Sequence, residues 1–482
     1  MRPVLLIVMD GVGLRDAEEG NSFKQACTPN LDRLMDEHSY QKLEASGPAV
    51  GLPEGFTGNS EVGHLHLGAG RTIPQRLTRI DKAVDGNSLK KKKALKNSLE
   101  TAERNGTNIH LAGIISDGGI HGHINHLKRL LEICSDYDVD VFIHCFTDGR
   151  DVSPKSGERY ISMIEGWTSE YGGEIATVTG RFYSMDRDKN WERTRKAYDA
   201  MVNAEGFSFS DPREALEKTY SDGDYDYFTV PSASEDFEGM KSEDELIFYN
   251  FRADRERQIA EAFLKNDFGE FENPVRPNFV SMFPYRRDFE NPVIFEKQVV
   301  ENTLGEKIEE AGLKQLRVAE SQKRPHVTYF FNGQRELEFE NETRRFIESD
   351  KIKAFNEKPE MHAKEITDIV LESMEEQEHD FILLNYANCD LVGHTGDLDA
   401  AIKAVETVDR NVGRIIDKLE ETGYGAFITA DHGNCENMGE NQQPNTSHTL
   451  NKVPLISINV EEQDVDKLAD IREIVERNLM EE

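Results

Sequence analysis

The sequence predicts an α/β protein with two α/β domains, one of which is built from both ends of the chain. The chain has 482 residues, more than the roughly 250–300 at which a single hydrophobic core usually divides. Short apolar runs that end on aspartate alternate with amphipathic helices, and a second series of this kind fills the middle of the chain. Such alternation is typical of parallel sheets covered by helices.

Three apolar runs predict buried parallel strands that each have a carboxylate at the carboxyl end. They are "VLLIVMDG", "DFILLNYANCD" and "GAFITADHG", and they lead to Asp10, Asp390 and Asp431. Between the second and third runs, "DLDAAIKAVETVDRNVGRIIDKLEETG" has apolar residues at helical spacing and ends at Gly423. We therefore expect a βαβ crossover in this part of the chain.

The carboxyl ends of parallel strands are where ligands collect, so these aspartates are expected to converge. Carboxylates that lie so close repel one another unless a cation is present. Three histidines lie close to these aspartates in the sequence, namely His394, His432 and His448. A set that mixes carboxylates with imidazoles suits Mn²⁺, Zn²⁺ or Fe. Helix capping could explain any one aspartate alone. The coincidence of all six residues favours a metal site.

If Asp10 and Asp390 bind one metal cluster, the two chain ends form one domain and the middle forms another. We assign residues 1–74 and 298–482 to the metal-binding domain and residues 75–297 to an inserted domain. The middle has its own predicted strands in "TNIHLAGIISDGG", "DVDVFIHCFTDGRD" and "GEIATVTGRFYSMDRD", with a helix in "HINHLKRLLEICSDY". Residues 221–245 are predicted to be irregular surface. Two domains facing each other across a cleft are the expected architecture.

Arginines cluster near the predicted strand ends of the inserted domain, although the protein as a whole is acidic. Arginine matches carboxylate and phosphate oxygens in bidentate fashion, so this set predicts a site for a small polyanion. A surface ion pair remains the alternative for any single arginine. The set comprises Arg150, Arg181, Arg187, Arg252 and Arg255, with His121, Asp151 and Lys323 added.

The stretch "GNSEVGHLHLGAG" at 58–70 is open to two interpretations. Its glycines and Asn59 are ordinary turn chemistry, and the stretch is too rich in glycine to suggest a helix interior. Alternatively, Ser60 is a nucleophile at a helix start, where backbone N–H groups hold an anion beside the hydroxyl. The stretch by itself does not separate a surface loop from a nucleophile.

Composition limits the classes of partner and the compartment. The chain has 91 acidic and 57 basic residues, a formal net charge of −34, which disfavours binding to nucleic acid or to anionic membranes. The basic run at 89–100 carries leucines at helical spacing and is interpreted as a solvated helix face. Five cysteines form no CxxC pair, which indicates a reducing compartment. The N-terminal apolar run is too short for a signal peptide or membrane span, so we expect a soluble cytoplasmic protein.

Seven motifs in order along the chain closely resemble the cofactor-independent (2,3-bisphosphoglycerate-independent) phosphoglycerate mutase family, of the alkaline phosphatase-like superfamily. They are "GNSEVGH", "SDGGIHGH", "DGRD", "GRFYSMDRD", "NFRADR", "NYANCDLVGHTG" and "TADHGN". The resemblance implies a phosphatase-like metal-binding domain with an inserted transferase-like domain. It also implies an isomerase that interconverts 3-phosphoglycerate and 2-phosphoglycerate, without 2,3-bisphosphoglycerate and as a monomer.

By the same resemblance, Ser60 carries the phosphoryl group as phosphoserine. Two Mn²⁺ ions are implied, one held by Asp10, Ser60, Asp431 and His432 and the other by Asp390, His394 and His448. The implied substrate-binding residues are His121, Arg150, Asp151, Arg181, Arg187, Arg252, Arg255 and Lys323, with Asp151 as an acid and base and Lys323 as a further catalytic residue.

Three other functions are weighed against the mutase. A metal-dependent phosphatase of the same superfamily would share the ligands and the nucleophile but would have less need of the arginines. Phosphopentomutase is a nearer relative that the series of motifs disfavours. A non-catalytic binding protein on this fold would have no reason to keep a complete ligand set.

Overall fold

A computed structural model describes residues 2–440, 443–461 and 463–480 and divides into two compact units. The first unit consists of Met1–Thr78 together with Val299–Glu482, and the inserted unit is Arg79–Gln298. Each unit contains one seven-stranded sheet. Among the described residues, no helix is both long enough and apolar enough to cross a membrane.

The strands are numbered in chain order: β1 Val4–Met9, β2 Ser39–Leu43, β3 Ile109–Ile114, β4 Val141–Thr147, β5 Glu174–Gly180, β6 Phe207–Phe209, β7 Ser232–Ser234, β8 Glu245–Phe248, β9 Asn278–Ser281, β10 Gln315–Glu320, β11 Glu342–Ile347, β12 Phe381–Tyr386, β13 Gly425–Thr429, β14 Gly439–Glu440, β15 Gln443–Pro444 and β16 Val453–Ile458. The α-helices are α1 Ser22–Gln25, α2 Pro29–Glu37, α3 Ser60–Ala69, α4 Arg76–Asp85, α5 Lys93–Asn105, α6 Ile124–Cys134, α7 Gly157–Tyr171, α8 Arg181–Ser184, α9 Trp191–Asn203, α10 Arg213–Ser221, α11 Ala253–Leu264, α12 Leu304–Glu310, α13 Ala363–Glu375, α14 Asn388–Gly393, α15 Leu398–Thr422 and α16 Ile471–Met480.

The sheet of the first unit has the strand order β11-β10-β12-β1-β13-β16-β2. The five strands from β11 to β13 run parallel, whereas β16 is antiparallel to both of its neighbours. Every residue of β1, β12 and β13 is buried, because helices cover both faces of a parallel sheet. The three predicted acid-bearing strands are therefore central neighbours, with β1 between the other two.

Helix α15 makes the predicted crossover between β12 and β13. Asp397 caps it by accepting a hydrogen bond from the backbone N–H of Ala400, and Gly423 ends it in the left-handed conformation at a φ of 76°. Its apolar stripe, including Val405, Val412 and Ile415, is buried in the core of the first unit. The crossover places the carboxyl ends of β12 and β13 at the same edge as that of β1.

The sheet of the inserted unit has the order β6-β7-β5-β4-β3-β8-β9, and the five strands from β5 to β9 are parallel. The predicted strands β3, β4 and β5 are therefore neighbours. The prediction that residues 221–245 are irregular is wrong for Ser232–Ser234, because these residues pair with both β5 and β6. The basic run at 89–100 lies largely on α5, as its leucine spacing predicted, and Leu89, Leu95 and Leu99 are buried.

Candidate metal centre

The stretch around Ser60 is a helix, so the interpretation of 58–70 as a loop is wrong. Asn59 caps α3 by accepting a hydrogen bond from the N–H of Val62, which leaves Ser60 at the first helical position. The glycines are explained by close packing: a Cβ on Gly63 would lie 2.6 Å from Cβ of Asp431, and one on Gly68 would collide with the carbonyl of Phe331. Glycine therefore allows α3 to approach the neighbouring loops.

Three carboxylates lie beyond the carboxyl ends of the central strands. Asp10 directly follows β1, Asp431 lies two residues after β13, and Asp390 lies on the short helix α14 after β12. All three are at most 3% exposed. The parallel register of the three strands is what brings these acids together.

The first ligand group surrounds the Ser60 hydroxyl. Its Oγ lies 3.1 Å from Oδ1 of Asp10 and 3.0 Å from Nε2 of His432. Nε2 of His432 is also 3.4 Å from Oδ1 of Asp10 and 3.8 Å from Oδ2 of Asp431. Burial opposes the charged form of His432, but the carboxylates of Asp431, Asp10 and Asp390 outweigh it and raise the pKa of His432 to about 10. Positive charge is therefore favoured beside Ser60.

The second ligand group consists of Asp390, His394 and His448. Nδ1 of His394 lies 2.8 Å from the carbonyl of Thr446, and Nδ1 of His448 lies 2.9 Å from the carbonyl of Gly58. Each Nδ1 must donate to its carbonyl, so each neutral ring directs the lone pair of Nε2 inward. These two nitrogens are 3.1 Å apart, and each lies 3.2 Å from Oδ1 of Asp390.

Such an arrangement of lone pairs and a carboxylate requires a cation. The hydrogen bond to Asp390 raises the pKa of His394, so a proton can meet the same requirement. In addition, Oδ2 of Asp431 is buried and accepts no hydrogen bond, although Nδ1 of His64 lies 3.2 Å away. A buried carboxylate oxygen of this kind favours a nearby cation. Histidine nitrogens mixed with carboxylates suit Mn²⁺ or Zn²⁺ better than Ca²⁺. The residues present therefore fit divalent metal ions.

Lys323 lies inside the same group, just after β10. Its Nζ is 2.7 Å from Oδ1 of Asp10, 2.6 Å from Oδ2 of Asp390 and 2.8 Å from Oγ of Ser60. Burial opposes its charge, but the nearby carboxylates hold the pKa of Lys323 well above its usual value. The lysine is therefore a fixed cation in direct contact with the candidate nucleophile.

Sequence reasoning missed three residues that support the ligands. Asn385 Nδ2 donates to Oδ2 of Asp10 at 2.7 Å and lies 3.0 Å from Nε2 of His64. His64 therefore carries its proton on Nδ1, which lies 2.9 Å from the carbonyl of Ser60. The third is Glu436, which is fully buried. Signals existed for Asn385, the polar residue inside the apolar run of β12, and for His64, which closes the motif "GNSEVGH".

The inserted unit gathers three of its predicted residues around Asp254. Arg187 Nη1 lies 3.0 Å and Arg252 Nε 2.9 Å from its carboxylate. Nδ1 of His121 is 4.0 Å from Asp254 and 3.2 Å from the buried carboxylate of Glu256. These predicted substrate-binding residues therefore already have anionic partners.

The other predicted arginines of the inserted unit, Arg150 and Arg181, lie near Arg255. Burial, followed by the charges of Arg181, Arg187 and Arg150, lowers the pKa of Arg255. This mutual repulsion is what an anionic ligand would relieve. Arg181 is paired as well, because its Nη1 lies 2.6 Å from both Asp148 and Asp151.

Residues 2–481 match the model of the metalloenzyme superfamily. The chain is 46% identical over 467 residues, 95% of its length and 91% of the relative's, to the 2,3-bisphosphoglycerate-independent phosphoglycerate mutase of Clostridium novyi. It is 45% identical to the protein of the same name from Listeria innocua over 94% of this chain and 91% of the relative.

A solved structure of Leishmania mexicana phosphoglycerate mutase, obtained at low cobalt concentration, has a TM-score of 0.70 at 29% identity. The match covers 99% of this chain and 95% of that one. The α/β fold class and the family resemblance predicted from the sequence are both confirmed. The chain belongs to the family of 2,3-bisphosphoglycerate-independent phosphoglycerate mutases, within the metalloenzyme superfamily.

Proposed function

We propose that the chain interconverts 3-phosphoglycerate and 2-phosphoglycerate, as a step of glycolysis and gluconeogenesis, through a phosphoserine on Ser60. The observation that carries the proposal is the environment of the Ser60 hydroxyl, which contacts Asp10, His432 and Lys323 at 2.8–3.1 Å. The names of the curated relatives support the substrate and the independence from 2,3-bisphosphoglycerate.

Two divalent ions complete the proposed site. Asp10, Ser60, Asp431 and His432 would hold one, and Asp390, His394 and His448 would hold the other. When bound, they would supply positive charge that lowers the pKa of the serine hydroxyl and neutralises phosphoryl oxygens. Mn²⁺ is the proposed metal, because the ligands mix imidazole with carboxylate.

The chain's own residues carry the group transfer. The Ser60 hydroxyl gives up its proton to solvent, Oγ attacks the phosphorus of 3-phosphoglycerate, the bond from phosphorus to the 3-oxygen breaks, and this oxygen takes a proton from Asp151. Asp151 then takes the proton of the glycerate 2-hydroxyl, this oxygen attacks the phosphorus of phosphoserine, the bond from phosphorus to Oγ breaks, and Oγ takes up a proton again. Asp151 is the proposed acid and base for glycerate. The ammonium of Lys323, 2.8 Å from Oγ, stabilises the negative charge of both transition states.

The inserted unit is proposed to bind the anionic substrate. Arg150, Arg181, Arg187, Arg252 and Arg255 would hold its carboxylate and phosphate oxygens, with His121 as a further contact. Arg181 would also hold Asp151 in place, since its guanidinium pairs with that carboxylate. Binding must also retain glycerate and exclude water, because water that reached the phosphoserine would make the enzyme a phosphatase.

The test measures conversion of 3-phosphoglycerate to 2-phosphoglycerate without 2,3-bisphosphoglycerate, after EDTA treatment and again with Mn²⁺ restored. We expect turnover only with metal, a phosphorylated Ser60 in the quenched enzyme by mass spectrometry, and no turnover in Ser60→Ala. Ser373→Ala is the matched control, because Ser373 is buried in the same unit and bonds only to structural groups. Wild-type activity in Ser60→Ala would overturn the proposal.

Release of inorganic phosphate without isomerisation would instead identify the phosphatase alternative.

The proposal further includes a monomeric, cytoplasmic enzyme. The free state of all five cysteines is in keeping with a reducing compartment. Sedimentation of the purified chain measures its oligomeric state, and a dimer would contradict the proposed monomer.

A further inference from the structure

Glu436 is a fully buried carboxylate whose acceptor sites are filled by neutral donors from three loops. Its Oε2 accepts hydrogen bonds from the backbone N–H groups of Gly13 at 3.0 Å and Asn434 at 2.8 Å. Its Oε1 accepts from the hydroxyl of Thr449 and, at 2.8 Å, from Nδ2 of Asn451. A buried carboxylate that serves only to fill space would be costly.

Each of the three loops carries a proposed metal ligand close to the residue that Glu436 holds. Gly13 follows Asp10 in the loop after β1, and Asn434 follows Asp431 and His432 after β13. Thr449 is next to His448 in the chain. The carboxylate is thus a common hydrogen-bond acceptor for segments that bear ligands of both groups.

Two further contacts extend this connection. The Asn434 side chain donates from Nδ2 to Oδ1 of Asp390 at 3.3 Å. Glu436, which accepts from the backbone of Asn434, is therefore also linked to the segment that carries Asp390. The backbone N–H of Thr449 donates to the carbonyl of Gly433 at 3.0 Å. A Cβ on Gly13 or Gly433 would collide with the carboxylate, so these backbones approach Glu436 as closely as glycine allows.

We propose that Glu436 is a positioning residue that sets the divalent-metal affinity of the centre by holding its ligand loops in register. The inference rests on the proposed metal site. It assigns no coordinating role to Glu436, whose oxygens are all engaged by N–H and O–H donors. Groups that orient metal ligands typically change metal affinity by about 10–100-fold when they are removed.

The experiment titrates Mn²⁺ alone into the metal-free full chain by calorimetry, with folding verified by circular dichroism. We expect Glu436→Ala to raise the Kd for Mn²⁺ by about 10–100-fold. Glu436→Gln should stay within about 3-fold of wild type, because the amide oxygen can accept from both backbone N–H groups while Thr449 and Asn451 rotate to accept from the amide nitrogen. This rescue separates positioning by hydrogen bonds from a need for negative charge.

Glu342→Ala is the matched control. Glu342 is also buried in the first unit, but it begins the edge strand β11 and bonds to Arg344. Its loss should lower stability while leaving the Kd for Mn²⁺ unchanged. An unchanged Kd in Glu436→Ala, or an equal loss in Glu342→Ala, would overturn the inference.

Thr449→Val decides the question if Glu436→Ala does not fold, because it removes a single hydroxyl donor and keeps the carboxylate. We expect its Kd to rise by about 3-fold or more, as for a lost hydrogen bond to a charged group, and an unchanged Kd would count against the inference. Saturating Mn²⁺ should restore most of the turnover of either variant. Wild-type chain that binds no Mn²⁺ would refute the proposed metal site, whereas tight binding that ignores Glu436 would refute only this inference.

Discussion

Replacing Arg181 by methionine tests whether the buried ion pairs of the inserted unit are structural as well as functional. The guanidinium is 1% exposed and lies 2.6 Å from the carboxylates of Asp148 and Asp151. Asp148 is itself buried. Although burial opposes ionisation, the N–H of Asp151, the hydroxyl of Ser116 and Arg181 together hold the pKa of Asp148 below its usual value.

Methionine would fill part of the space but would leave the Asp148 carboxylate buried without its cation. Removing one partner of a buried pair costs about 3–5 kcal/mol. Asp151 is 18% exposed, so water can partly replace its pairing. We therefore expect a loss of about 3–4 kcal/mol, which corresponds to about 6–16 °C in the melting temperature of a unit of this size.

The assay is urea unfolding followed by tryptophan fluorescence. Both tryptophans of the chain, Trp167 and Trp191, lie in the inserted unit, so the signal reports on that unit alone. Arg187→Met is the matched control, since the Arg187 side chain is 48% exposed and should lose less than about 1 kcal/mol.

Adding Asp148→Asn to Arg181→Met should recover part of the lost free energy of unfolding, because it removes the buried carboxylate charge that no longer has a cation. A loss below about 1 kcal/mol in Arg181→Met would refute the reasoning, since it would mean that Asp148 is adequately compensated by Ser116 and the backbone.

Three further predictions concern the first unit. Asn385→Ala should weaken Mn²⁺ binding about 10-fold in a calorimetric titration, because the amide holds Asp10 and His64; unchanged affinity would contradict this. Burial lowers the pKa of His66 to about 4, whereas the same imidazole in the unfolded chain has a pKa of about 6.5. Between about pH 6.5 and pH 4, His66 is therefore protonated in the unfolded chain and neutral in the folded protein. The free energy of unfolding should therefore fall by about 3 kcal/mol from pH 7 to pH 4 through His66 alone, and urea titrations of His66→Gln should show a shallower fall; equal slopes would be inconsistent with a buried neutral imidazole. Mn²⁺ at 100 times its Kd should raise the free energy of unfolding by about 2.7 kcal/mol for each ion bound, in urea titrations followed by circular dichroism. EDTA should reverse the increase, and no increase would argue against a site specific to the folded state.

The sequence alone determined the features that local pattern controls. β1, β12 and β13 are visible because buried parallel strands are continuous apolar runs. Helix α15 is visible from its period and its Gly423 stop. Once these elements are known, the handedness and spacing of a βαβ crossover place Asp10, Asp390 and Asp431 at one edge of one sheet.

Tertiary structure decided what no local pattern encodes. Helix α3 depends on contacts with Asp431 and Phe331 that make glycine necessary where glycine otherwise disfavours a helix. The short strand β7 exists because β5 and β6 supply its hydrogen bonds. Propensity is a weak signal that packing overrides in both places.

The same division holds within the site. The residue type and the position of aspartate and histidine at strand ends identify them as candidate metal ligands. Glu436 cannot be identified in this way. Its proposed role depends on the hydrogen-bond donors Gly13, Asn434 and Thr449, which lie far apart in the chain. The sequence thus determined which groups can bind metal, and only the folded chain decided which buried carboxylate holds them in position, because a hydrogen-bond acceptor is defined by the donors that surround it.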